Sequence, residues 1–147
     1  MTTWTNLDRI AASCSQAIVN EAKTITETKN DLENVITKAL GVLQENGVYA
    51  MTLFLLSRSE KERRVTRNVV LKHLIELLFR SDIRHVLKAQ ASKPNLAEQE
   101  SVLPFVADEI CDELDRLLLV KSLYEQVLIY SRYGAKAIVK DDKKEEE

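Results

Sequence analysis

The residues whose type and spacing could do chemistry fall into three basic groups, one acidic group and two histidines. Arg63 and Arg67 lie four residues apart, with Arg64 beside them. Arg80, Arg84 and Lys88 repeat at i, i+4 and i+8, and Arg132, Lys136 and Lys140 do the same near the end of the chain. On a helix each such set stacks along one face, about 6 Å per step. Aligned Lys and Arg at that interval can track a phosphate backbone, and Arg adds forked contacts to phosphate oxygens. A solvated face with long cationic side chains is the plainer reading of the same pattern. Tyr124, Tyr130 and Tyr133 lie near the last group and could stack bases, though core or interface packing suits them better.

Metal chemistry finds less support. His73 and His85 are twelve residues apart, about 18 Å along a helix and too far for one ion. Both are expected on a solvated or partner-facing surface. Asp108, Asp112 and Asp115 would share a helical face, with Glu109 and Glu113 beside them. Such a cluster could hold Mg²⁺ or a general acid. A solvated acidic face is preferred, because Mg²⁺ sites usually add a phosphate substrate and the sequence has no phosphate loop. The glycines are Gly41, Gly47 and Gly134, which form neither a phosphate cradle nor a Gly-x-Ser-x-Gly elbow. Cys14 and Cys111 have no histidine nearby in sequence, and Cys111 reads as a small core residue. No catalytic residue, metal ligand, cofactor or small-molecule substrate is therefore assigned.

The elements that must position these residues are helical. Gly and Pro number three and two in 147 residues, too few for the turns of an all-β chain. The chain is 45% hydrophobic and 30% charged with net charge −2, so it is no general magnet for nucleic acid. Its charge is segregated: residues 58–88 carry nine Lys/Arg against four Asp/Glu, or +5. Residues 92–115 carry one against seven, or −6, and residues 116–140 five against one, or +4. A near-neutral body can thus present basic faces. The two cysteines are distant and the N-terminus shows neither a charged n-region nor an apolar h-region, which fits a reducing cytoplasm. The longest nearly apolar run, Val48 to Leu56, is half the length of a membrane span.

Periodicity supplies the helices. Leu7, Ile10, Ala11, Cys14, Ala17, Ile18 and Ala22 predict the first, started by Thr5 with Asp8 in its first turn. Thr24 to Asn30 reads as a break. Asn30 or Asp31 caps the second helix, which Asn46-Gly47 ends. Val48 to Leu56 is apolar nearly all round and is expected as a central helix rather than a strand. Val65 to about Ala91 predicts a helical segment, with Ser81-Asp82 as a kink or a restart. Ala91 to Ser101 is the longest linker, and Pro104 suits a first helical turn. One or two long helices then run to Val139, with Leu114, Leu117, Leu118, Leu123 and Val127 among their apolar positions. The expectation is one all-α domain over 1–139, a compact bundle of about five to six helices, followed by a charged, disordered tail over 140–147.

Two blocks carry a resemblance. Ile36 to Ser57, with Ala39-Leu40, Asn46-Gly47-Val48 and Ala50-Met51-Thr52-Leu53-Phe54-Leu55-Leu56-Ser57, is similar to a stretch of the small subunit of type III-B (Cmr) CRISPR effector complexes. Tyr130-Ser131-Arg132-Tyr133-Gly134-Ala135-Lys136-Ala137 resembles the end of that family's last helix. The resemblance implies a non-enzymatic subunit in antiviral defence. Copies of it stack in an inner filament beside other subunits of the effector complex, their basic faces along guide RNA and target RNA. Arg63, Arg64, Arg67, Arg80, Arg84, Lys88, Arg132 and Lys136 are the expected nucleic-acid contacts, and which group faces RNA and which faces protein stays open. The −6 and +5 segments are candidates for head-to-tail contact between copies. A helical dimerisation or adaptor module is the competing reading. A helical DNA-binding regulator is a weaker one, because Leu71, Leu74, Ile75 and Leu78 of its imagined recognition helix need burial.

Overall fold

A computed structural model describes residues 6–25, 29–88 and 90–145, with side chains of 29–31 and 139–145 left aside. The first helix, α1, spans Leu7–Lys23. Its N-cap is Asn6, one residue after the expected Thr5, which lies outside the described residues. The Asn6 Oδ1 accepts the Arg9 N–H at 3.1 Å, so one of the orphan amides of the first turn is satisfied. The predicted stripe is buried at Ile10, Ala11, Cys14, Ile18 and Ala22, while Leu7 stays exposed.

Helix α2 spans Lys29–Asn46. It starts before Asn30 and Asp31, so neither is the cap the sequence suggested. Its end is where Asn46-Gly47 placed it. Gly47 has φ 97°, a left-handed conformation that a Cβ would penalise. Its N–H closes α2 on the Leu43 carbonyl at 3.0 Å, and its own carbonyl receives the Met51 N–H at 3.1 Å. One residue therefore ends α2 and opens α3, Val48–Leu56. Helix α3 is central, as expected, with Val48, Met51, Leu55 and Leu56 buried; Tyr49 and Leu53 form its open edge.

Helix α4 covers residues 60–78. It is α-helical over Glu60–Val65, widens to a π-helical stretch over Thr66–Leu71, and returns to α over Lys72–Leu78. The helix expected to reach Ala91 therefore stops at Leu78. Phe79 and Arg80 turn back onto the Glu76 and Leu77 carbonyls, and the Ser81-Asp82 pair lies in the turn that separates α4 from the next helical turn, a break rather than a kink. The stop sends Ile83, Leu87 and Ala91 into the core, each under a tenth exposed. Burying three apolar side chains, worth about 1.5–3 kcal/mol for each of the two large ones, outweighs continued helix. A 3₁₀ turn, Arg84–Val86, follows.

Helix α5 covers residues 99–110, α-helical at Gln99–Phe105 and π-helical at Val106–Ile110. Pro104 sits inside it, not at its first turn as expected. Without an N–H, Pro104 cannot bond the carbonyl one turn back, and the helix widens directly after it. The last helix, α6, spans Leu114–Glu145, about 48 Å at 1.5 Å per residue. Residues 140–145, expected as a disordered tail, are its final turns. Lys and Glu are strong helix formers by propensity.

Among the described residues there are six helices and no strand, an all-α bundle around one core. Helix α6 is its spine, flanked by α1 and α2. Against α1, a Cβ on Gly134 would lie 3.1 Å from the Val19 Cγ2, and the Tyr130 hydroxyl bonds Asp8. Deeper in, the buried Tyr124 hydroxyl donates to the Leu74 carbonyl at 2.8 Å, fastening α6 to α4. Helix α3 packs between α2, α4 and α5.

Candidate nucleic-acid interface

The first basic group sits where α4 begins. Arg58 is taken up by Glu62 at 2.6 Å and lies over the Phe54 ring at 5.0 Å. That hydrogen bond outweighs partial burial and holds the Glu62 carboxyl below its usual range. Arg63 and Arg64 are exposed and have no ion pair among the described residues. Arg67, half-buried, donates through Nη2 to the Leu56 carbonyl at 3.4 Å, a cation at the C-terminal end of the α3 dipole. Its Nε is buried with no partner among the described residues. Burial first, and then the charge of Arg63, lowers its pKa. Over residues 58–67 five cations (Arg58, Lys61, Arg63, Arg64, Arg67) face two anions (Glu60, Glu62), a local +3.

The second group is not a stripe. Because α4 ends at Leu78, Arg80, Arg84 and Lys88 do not share a helical face, and each is bonded within the fold. Arg80 pairs with Asp82 at 3.3 Å. Arg84 lies over Phe79 and donates to the carbonyls of Lys88 and Ala91, closing the loop on itself. Lys88 pairs with Asp112 at 2.8 Å and donates to the Asp108 carbonyl at 3.2 Å.

The acidic face dissolves for a related reason. The chain leaves helix at Cys111–Glu113, so Asp108, Asp112 and Asp115 do not line one surface. Asp112 accepts from both Lys88 and Arg116, and those bonds hold its carboxyl below the ordinary range against the smaller push of desolvation. Arg116, only 13% exposed, also reaches Glu113 at 3.3 Å and the Val86 carbonyl at 2.6 Å. In the sequence Arg116 stands out only as the first charge of the basic segment 116–140. The signal that could have found it is its i, i+4 spacing from Asp112. Among the described residues no group of three His, Cys, Asp or Glu side chains could hold a metal.

The third group keeps its predicted spacing on α6. Lys136 lies 3.8 Å from Glu33 and 5.9 Å from the Tyr133 ring centre. Arg132 is half-buried, its Nε without a partner among the described residues. Lys140's side chain lies outside them. Of the three tyrosines, Tyr124 is buried and Tyr130 is held by Asp8, so Tyr133 alone could offer a ring to a base.

No family model, curated protein or solved structure matches the chain. Chemistry at the remaining candidates is muted by burial. The Cys14 thiol is pushed up to about 12 by desolvation, far from a reactive thiolate, and Cys111 is raised for the same reason. His85 is exposed as expected. His73 is not a free surface residue: its Nε2 bonds Glu21, which also takes the Lys72 ammonium at 2.9 Å. That α1–α4 tie joins residues about fifty positions apart and has no local signal. No helix among the described residues is long and apolar enough to cross a membrane.

Proposed function

We propose that this chain is a non-catalytic small subunit of a type III CRISPR ribonucleoprotein effector, cytoplasmic and antiviral. On this reading it holds guide and target RNA by their phosphate backbone and stacks beside copies of itself and other subunits. The two sequence blocks at 36–57 and 130–137 support the family. The single observation that carries backbone binding is the Arg63–Arg64 pair. These consecutive residues near the start of α4 are both exposed, in a +3 segment and without an ion pair among the described residues. Unpaired surface arginines lose no salt bridge when they meet phosphate, and their binding energy comes from counterion release. Arg67 supports them from a half-buried position. Arg80, Arg84 and Lys88 would have to break existing bonds to serve in the same way.

The test is gentle affinity purification of the tagged chain from its native host, followed by native mass spectrometry and sequencing of bound RNA. Large co-purifying subunits with a discrete set of short guide RNAs are expected. Recovery without RNA overturns the proposal and leaves a helical interaction module.

A further inference from the structure

Helix α6 leaves one long face without a partner inside the fold. On one side it packs on α1, where Gly134 meets Val19; on the other it meets α2, where Lys136 faces Glu33. The face between them is open. It carries Leu118, 52% exposed, Leu119, 36%, and Tyr133, 64%, with Ser122 and Ala137 exposed and Ile129 half-buried between them. Leu114, another apolar position of this helix, is 66% exposed. Large apolar side chains at spacings of three and four on one outer helix face are what a facing helix covers.

Charge along the same helix says which way that partner runs. Glu113 and Asp115 stand at its start, Arg132 and Lys136 towards its end. A second α6 laid antiparallel, with its midpoint between Glu125 and Gln126, puts Asp115 opposite Lys136 and Leu118 opposite Tyr133. In the same register Ser122 faces Ile129, and Glu125 faces Gln126 rather than another carboxylate. One midpoint thus satisfies the apolar and the charged pairs together. Parallel pairing would set Asp115, Glu125 and Lys136 each against its own copy. Asp115 is exposed and has no ion pair among the described residues. Lys136 holds Glu33 only at 3.8 Å with its side chain 40% exposed, leaving protons for a second carboxylate.

We infer that two copies of this chain pair through the outer face of α6, antiparallel about a twofold axis. The contact is self-complementary and closes at two. It assigns the Arg132–Lys136 end of α6 to protein rather than RNA, and it stands independently of the RNA-binding proposal, since it concerns the chain without nucleic acid.

The test uses the purified full chain. Sedimentation equilibrium is expected to give the mass of two chains, and Leu118→Glu to raise the dimer Kd roughly tenfold or more. Direction is read by cysteine pairing in a Cys111→Ser background, with Cys14 left buried. A mixture of Leu118→Cys and Tyr133→Cys chains should form a disulfide-linked dimer under mild oxidation. Leu118→Cys alone should not, because two such positions would stand about 22 Å apart along the axis. A monomer at every concentration overturns the inference. So does a dimer linked through two Leu118→Cys positions, and so does an open ladder of larger species.

Discussion

Lys88 Nζ lies 2.8 Å from Asp112 Oδ2, and this pair ties the segment after α4 to the joint between α5 and α6. Asp112 is shared with Arg116 at 2.6 Å, and Arg116 in turn holds the Val86 carbonyl. Side chains from the loop after α4 and from the first turn of α6 thus converge on one carboxylate. Residues 87–98 have few other anchors: the Arg84 guanidinium on the Lys88 and Ala91 carbonyls, and Ser101 Oγ on the Asn95 N–H. Asp112→Asn keeps the shape and removes the charge. Trypsin should then cut at Lys88 several-fold faster with helix content unchanged, since local opening is governed by local anchors. Cleavage at the wild-type rate would mean that the burial of Leu87 and Ala91 alone holds the segment.

The Glu21 tie predicts an acid-side signature. Partial burial pushes the Glu21 carboxyl up, but hydrogen bonds from Lys72 and His73 outweigh it and leave the pKa below the usual 4.5. A depressed carboxylate contributes stability that is present above its unfolded value and lost as pH falls through the folded one. Glu21→Gln should therefore melt below the wild type at pH 7, and the two curves should converge between about pH 5 and pH 3. With the Glu21 side chain 36% exposed, solvent screens the pair and the gap at pH 7 should be at most about 1 kcal/mol. Thermal melts across that range check it; parallel curves would show that the pairing carries no net proton linkage.

Much of the fold was legible because it is written locally. The three-and-four recurrence from Ile10 to Ala22 and the glycine at 47 each state their own structure, and the structure follows them. The end of α4 was not legible. Arg80, Arg84 and Lys88 continue a helical period, and Ser81-Asp82 hints at an interruption without marking Leu78 as the last residue. What decides it is the burial of Ile83, Leu87 and Ala91 against elements distant in sequence, a tertiary gain that overrides propensity. The two widened stretches, Thr66–Leu71 and Val106–Ile110, also shift which side chains share a face. The break in helix at Cys111–Glu113 undoes the acidic surface expected over Asp108 to Asp115. Of the candidate interface, the Arg63–Arg64 pair was legible because it needs only an exposed helix start, whereas the Glu21–His73 and Lys88–Asp112 bonds required knowing which segments meet.

The three glycines should respond to alanine in three ways. At Gly41, inside α2, an added Cβ meets nothing within 4 Å, so Gly41→Ala should stabilise by about 0.5–1 kcal/mol through lower chain entropy. Gly47 holds φ 97°, and Gly47→Ala should cost about 1–2 kcal/mol. At Gly134 the Cβ would press within 3.1 Å of the Val19 Cγ2. Val19 is buried and β-branched, with one strongly preferred rotamer in a helix, so it has little freedom to swing aside. Gly134→Ala should lose more to overpacking, about 1–3 kcal/mol, than it gains in propensity, for a net loss. Denaturant melts would order the variants with Gly41→Ala above wild type and the other two below. Stabilisation by Gly134→Ala would mean that α1 and α6 can separate at their closest contact.

The Arg63–Arg64 proposal also predicts how binding varies with salt. Each phosphate neutralised on a single strand contributes about 0.7 to the slope of log K against log salt. If both guanidiniums meet phosphate, Arg63→Ala with Arg64→Ala should lower that slope by about 1.4 for a single-stranded RNA followed by fluorescence anisotropy. Arg80→Ala serves as the contrast. Arg80 is exposed like the other two but pairs with Asp82, so its removal deletes a cation already neutralised and should leave the slope close to wild type. The comparison separates local contact from bulk attraction, because a diffuse field responds to total charge wherever it is lost. Arg80→Ala removes one charge and the double variant two. A drop shared in that one-to-two proportion would mean the protein's overall charge holds the RNA. A drop confined to the double variant would place the phosphates at the start of α4.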